Sequence, residues 1–150
     1  MEELVVNFIS NVNLEELPMQ EARPFKATGI IGQVETRTIA NGYTQIAVPI
    51  TYRRDNSTDD RQFTARFNIK EEWLTSEFTA RAKRGELEPS EKIQYEINVK
   101  GLLKNLFSGA GIPSGQINFD ELAGRTIGFK TKLRRDDPSR LDISFFYTPR

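Results

Sequence analysis

Apolar and polar residues alternate along several stretches of this chain, and one long interval between them takes up the period of a helix instead. From Tyr43 to Tyr52 the apolar Ile46, Val48, Ile50 and Tyr52 are interleaved with Gln45, Ala47, Pro49 and Thr51, the two-residue period of a half-buried strand. Pro49 cannot donate to a ladder, so it marks an edge or a bulge. Upstream, Phe25 to Thr38 is rich in β-branched residues and glycine, and Asn41-Gly42 after it signals a hairpin that pairs the first two strands antiparallel. A third strand follows the polar loop Asp55 to Asp60, with Phe63, Ala65, Phe67 and Ile69 inward and Gln62, Thr64, Arg66 and Asn68 outward. In the fourth, Ile127, Phe129, Thr131 and Leu133 take one side and Lys130, Lys132 and Arg134 the other. The last strand places Leu141, Ile143, Phe145 and Tyr147 inward, against Asp142, Ser144 and Phe146 outward.

The interval between the third and fourth strands reads as helix. Glu71 to Arg84 begins with acids and ends with bases, as the helix macrodipole favours, with Trp73, Leu74 and Phe78 on one packing face and Gly85 as its stop. Pro89-Ser90 opens a second helix through Phe107, with a stripe of Ile93, Ile97, Leu102, Leu103 and Leu106 and a weak point at Gly101. The alternation of Ile93, Tyr95, Ile97 and Val99 is the competing strand reading. Residues 108–123 are expected as loop or short turn, with Phe119 and Leu122 packing as a satellite cluster. The sum is a mainly β fold: three strands, a helical insertion over residues 71–108, then two strands. That is the order of an OB-fold, a five-stranded, mainly antiparallel barrel with helix between strands three and four. An immunoglobulin-like sandwich ranks second, because it needs about seven strands.

Composition narrows the chemistry. At 150 residues, 37% hydrophobic, the chain has the size of one domain spanning residues 1–150. Its apolar runs are a few residues long, far short of the ~20 that cross a bilayer, so no membrane partner is expected. The start Met1-Glu2-Glu3 lacks the basic region of a secretory signal, and there is no cysteine; both fit the cytoplasm. Without His or Cys the usual general base, thiol nucleophile and zinc ligands are missing, so the expected protein is not an enzyme and needs no cofactor. Ser108 to Ile112 lacks the lysine of a phosphate loop and reads as helix-ending turn. Asp55, Asp59 and Asp60, and Asp136 and Asp137, read as solvated hairpin tips and not as a metal site.

Net charge is zero, yet its distribution is uneven. Residues 1–22 carry five acids and no bases, and residues 71–122 carry six bases and nine acids. Residues 23–70 carry eight bases against four acids, and residues 123–150 seven against three. Positive charge therefore collects on the two blocks that read as strands.

The run Leu102-Leu103-Lys104-Asn105-Leu106-Phe107, then Ala110-Gly111-Ile112-Pro113 and Phe119-Asp120-Glu121-Leu122-Ala123-Gly124-Arg125-Thr126, resembles a segment shared by many small bacteriophage proteins. The resemblance covers most of residues 25–148. It implies an OB-like domain encoded beside phage replication or recombination genes, single-stranded DNA as ligand, and phage or host replication and recombination proteins as neighbours. The chain ends Tyr147-Thr148-Pro149-Arg150 and not in the acidic tail of many single-strand-binding proteins, so recruitment through such a tail is not implied.

The strand chemistry points the same way. A sequence-tolerant single-strand binder needs cations along the phosphates and rings on which bases stack, each ring worth about 1–3 kcal/mol. Arg37, Arg53, Arg54, Arg66 and Lys70 come from the first basic block, and Lys130, Lys132, Arg134 and Arg135 from the second. Phe146 falls on the polar phase of the last strand, where a large apolar ring needs a reason, and Tyr43 and Tyr52 are further stacking candidates. Trp73 and Phe78 read as helix packing. The alternative function is a non-enzymatic interaction module, in which the acidic residues 1–22 dock on a neighbour's basic sheet and build a homo-oligomer.

Overall fold

A computed structural model describes residues 22–54, 57–113 and 117–149, and six strands with a helical interlude make up most of it. The acidic segment up to residue 21 and Asp55 lie outside the described residues. First come β1 (Lys26–Ile31), β2 (Glu35–Thr38), β3 (Tyr43–Tyr52) and β4 (Arg61–Lys70); β5 (Thr126–Leu133) and β6 (Leu141–Tyr147) follow the helices. The count is six and not five because the stretch expected as one strand over Phe25–Thr38 bends at Gly32. Its two halves pair antiparallel with successive parts of β3: Gly29 to Ile31 face Tyr52 to Ile50, and Glu35 to Thr38 face Ala47 to Thr44.

The bend explains how a proline sits in the most extensively paired strand. The amide of Gly32 donates to the Pro49 carbonyl at 2.7 Å. A strand residue directs its nitrogen and carbonyl to the same side, so the donor that Pro49 lacks faces the break between β1 and β2 and not the unbroken ladder with β4. The irregularity thus lies in the partner of Pro49, not in β3 itself. At the other end of β3, Asn41 (φ 64°) and Gly42 (φ 76°) both take the left-handed conformation of a tight hairpin, as the Asn-Gly pair predicted.

All strand pairs are antiparallel. β3 is flanked by β4 on one side and by β1 and β2 on the other, and β1 continues through β5 to β6. The expected closed barrel does not form: among the described residues no ladder joins β4 to β6, and the sheet is open. Helix packs against both strands at this gap.

The inward phases follow the alternation for β3, β4 and β5. Ile46, Val48, Ile50 and Tyr52, Ala65, Phe67 and Ile69, and Ile127 and Phe129 are buried in one continuous core. Phe25 stacks on Tyr52 at 5.0 Å and Phe63 on Phe129 at 5.6 Å, offset arrangements worth about 0.5–1.5 kcal/mol each beyond burial. Thr131 is buried without penalty, since its hydroxyl accepts from the Phe25 amide at 2.9 Å.

The helices differ in detail from expectation. Glu71–Leu74 is a 3-10 turn, and Thr75 restarts the chain as the cap of α1 (Ser76–Lys83), its hydroxyl accepting from the Phe78 amide at 3.2 Å. Trp73 and Phe78 are buried, whereas Leu74 turns outward because the restart shifts the helical phase. The second helix runs without a break from α2 (Pro89–Tyr95) through a π segment (Glu96–Leu103) into α3 (Lys104–Gly109). Gly101, the expected weak point, lies in the π segment, where the helix widens but does not stop. Tyr95, Leu102, Leu103, Leu106 and Phe107 face the core, and Ile93 and Ile97, expected in the apolar stripe, are 55% and 50% exposed. Leu122 joins the main core and not a satellite. No helix among the described residues is long and apolar enough to cross a membrane.

β6 departs most from simple alternation. Lys130 faces Phe145, but the next residue of β5, Thr131, faces Ile143, so Ser144 is an extra residue opposite a single step of its partner. This bulge reverses the phase beyond it. Ile143 and Phe146 are therefore inward, and Phe146, expected outward, is 2% exposed in the core. Phe145, expected inward, is 38% exposed.

Candidate functional site

The outward face of β1, β5 and β6 is built as cross-strand rows. Lys26 faces Lys130, which faces Phe145; Thr28 faces Gly128, which faces Tyr147. The absence of a side chain at Gly128 lets the Tyr147 ring settle onto the sheet, in space that a Cβ would fill. Lys26 Nζ stands 4.6 Å from the centre of that ring, and Lys130 Nζ stands 5.8 Å from the centre of Phe145. The two rings are 5.9 Å apart, so rings and ammonium groups alternate over one surface.

A cleft of about 620 Å³ borders this face where β3 ends, lined among others by Lys26, Arg53, Arg54 and Tyr147. Arg54 lies over the Phe25 ring at 4.9 Å. Arg53 pairs with Asp60 at 2.7 Å, with both side chains largely exposed. An exposed pair of this kind is worth about 0–1 kcal/mol, so Asp60 holds Arg53 only weakly.

At the far end of the same face Lys132 faces Asp142, and both border a second pocket of about 330 Å³ between β4, β6 and the π segment. Arg66 of β4 reaches this pocket, which brings together one cation from each basic block.

The candidate residues thus divide into groups. Arg53, Arg54, Lys130 and Lys132 border one continuous face, and Arg66 meets it at the second pocket. Arg37 is exposed on β2, paired across to Gln45 near the start of β3, whereas β1 pairs with the opposite end of that strand. Lys70 stands 4.9 Å over the Tyr43 ring, and that ring, half-buried, packs edge-on against Trp73 and also lines the second pocket. Tyr52 is corrected outright: its inward phase buries it at 7% exposure, sandwiched with Phe25 and Phe129. Phe146 is corrected for the bulge described above. Arg134 pairs with Asp136 at 2.8 Å in the β5–β6 turn, and Arg135 is exposed beside it. Among the described residues no three acidic groups converge as a metal-ligand set.

Alternation placed Asp142 outward, as it stands, but gave neither it nor Lys26 a role, and it turned Phe145 and Tyr147 inward. A glycine inside a strand pattern was the available signal, since Gly128 marks a close approach by another group. No family model matches the chain, and no curated protein matches it either.

Proposed function

We propose that this chain binds single-stranded DNA on the outward face of β1, β5 and β6, by neutralising phosphates and stacking bases, with no chemical turnover. The observation that carries the reading is the row Lys26–Lys130–Phe145 beside Tyr147 on Gly128, which sets two cations, the exposed Phe145 ring and the half-buried Tyr147 ring on one surface. Stacking on such rings tolerates any base, and the cations follow the backbone without reading sequence. In this reading the fold is OB-like. A bent first strand (β1 and β2), β3 and β4 form the meander, helix is inserted, β5 and β6 return, and the seam between β4 and β6 is filled by helix in place of a ladder. The resemblance to small bacteriophage proteins supports this reading, and with it a part in replication or recombination in the cytoplasm of an infected bacterium is proposed.

The test is a fluorescence-anisotropy titration of labelled oligo-dT at several salt concentrations. Binding that weakens steeply with salt, and is weaker for a duplex of equal length, is the expected result. An absence of oligo-dT binding at low salt would overturn the proposal.

A further inference from the structure

We propose that the pocket between β4, β6 and the π segment takes one unstacked nucleobase and selects guanine; the inference rests on the single-strand reading of the adjoining face. Beyond Tyr147 and Phe145, the next outward residue along β6 is Asp142, so a strand that stacks on the two rings is led to this pocket. Its volume of about 330 Å³ gives a single base room to enter. Arg66 and Lys132 stand at its rim as phosphate partners, and Ile97 offers an apolar wall for the face of the base.

Two polar groups inside are of the opposite kind. Asp142 is the register partner of Lys132, yet among the described residues it forms no ion pair within 4.0 Å and accepts no hydrogen bond. Asn68 Oδ1 is buried in the same wall with no donor. A carboxylate in a cationic groove repels phosphate, so its presence serves a ligand that brings donors. A carboxylate and an amide oxygen together offer only acceptors. On its Watson–Crick edge guanine presents two adjacent donors, N1–H and the N2 amine; adenine, cytosine and thymine each place an acceptor beside their donor there. The amide of Asn98, on the helical wall, donates to Gln94 Oε1 at 3.4 Å and has a second proton for the guanine carbonyl or N7.

The experiment compares thymidine oligonucleotides that carry one central guanine, adenine or cytosine, measured by anisotropy against the unsubstituted oligomer. A single guanine is expected to tighten binding by about tenfold, and adenine or cytosine by less than about threefold. In Asp142→Asn the guanine-to-thymine ratio is expected to fall to about one. Equal affinity for all four oligomers in the unaltered protein overturns the inference and leaves the binding face standing, as does a guanine preference that survives Asp142→Asn. Failure of every oligomer to bind would instead strike the face itself, and the pocket is then decided by NMR titration with guanosine and adenosine monophosphates. Movement of the Asn68 and Asn98 side-chain amide signals with the guanosine nucleotide alone upholds it, and signals that stay in place with both overturn it.

Discussion

The ring of Tyr147 occupies the space above Gly128 that a Cβ on the neighbouring strand would need, and Lys26 caps the ring at 4.6 Å. The position of the aromatic surface is therefore set by a residue that contributes no side-chain atom to it. Replacing that glycine moves the ring without removing it.

Gly128→Ala is accordingly expected to cost about 1–3 kcal/mol of stability through overpacking, as read by chemical denaturation. The folded variant should also lose oligo-dT affinity, because its ring no longer lies against the sheet. A variant with unaltered stability and affinity would show that Tyr147 finds an equivalent seat elsewhere.

The neighbouring phenylalanines separate core from surface. Phe146→Ala should cost roughly 3–5 kcal/mol of stability, since it removes a ring that is 2% exposed. Phe145→Ala should change stability by about 0.5 kcal/mol or less. It should instead weaken oligo-dT binding by about 1–3 kcal/mol with the salt slope nearly unchanged, because stacking releases no counterions. Paired denaturation and anisotropy measurements on the two variants decide the matter, and reversed behaviour would place the bulge elsewhere.

The lysines should act on the slope. Lys26→Gln and Lys130→Gln are each expected to weaken binding to every sequence alike and to lower the slope of log affinity against log salt by about 0.7 for each phosphate left without its cation. Arg37→Gln, on β2 beside the end of β3 away from β1, is the comparison and should leave that slope as it is.

Tyr147 carries a pH signature. Burial pushes its phenol above the ordinary tyrosine value of 10.0, and a hydrogen bond with Thr28 offsets part of that rise. A raised folded value means that the unfolded chain releases this proton first. Its contribution to stability is whole below the unfolded value and is lost as pH rises through the folded one. Ultraviolet titration should show a tyrosine that ionises late, absent in Tyr147→Phe, and near neutral pH the ring should bind with no titration of its own.

Alternation was sufficient wherever a strand runs straight. The inward sets of β3, β4 and β5 were legible because one face of each meets the core and the other does not. Two kinds of feature escaped. Ser144 looks like any outward residue, and only its pairing with β5 reveals that Phe145 and Phe146 exchange faces there. Ile93 and Ile97 satisfy a helical stripe by spacing, but the widened turns that follow rotate the helix and bring Leu102 and Leu103 to the core. The cations were legible as a population and not as a site, since sequence does not say that β1 lies between β3 and β5 and so carries Lys26 beside Lys130.

If the face binds single strands as proposed, the bulge at Ser144 also sets what shape of polymer it accepts. An extra residue bends its strand and sharpens the local twist, so the part of β6 that displays Phe145 and Tyr147 does not lie in line with the part that displays Asp142. A double helix, stiff over about 50 nm, bridges such a corner and touches one side of it. A chain with free backbone torsions turns with the surface and touches both. In the proposed reading, selection between the two needs no group that recognises strandedness, because the bulge at Ser144 would itself distinguish a stiff polymer from a flexible one.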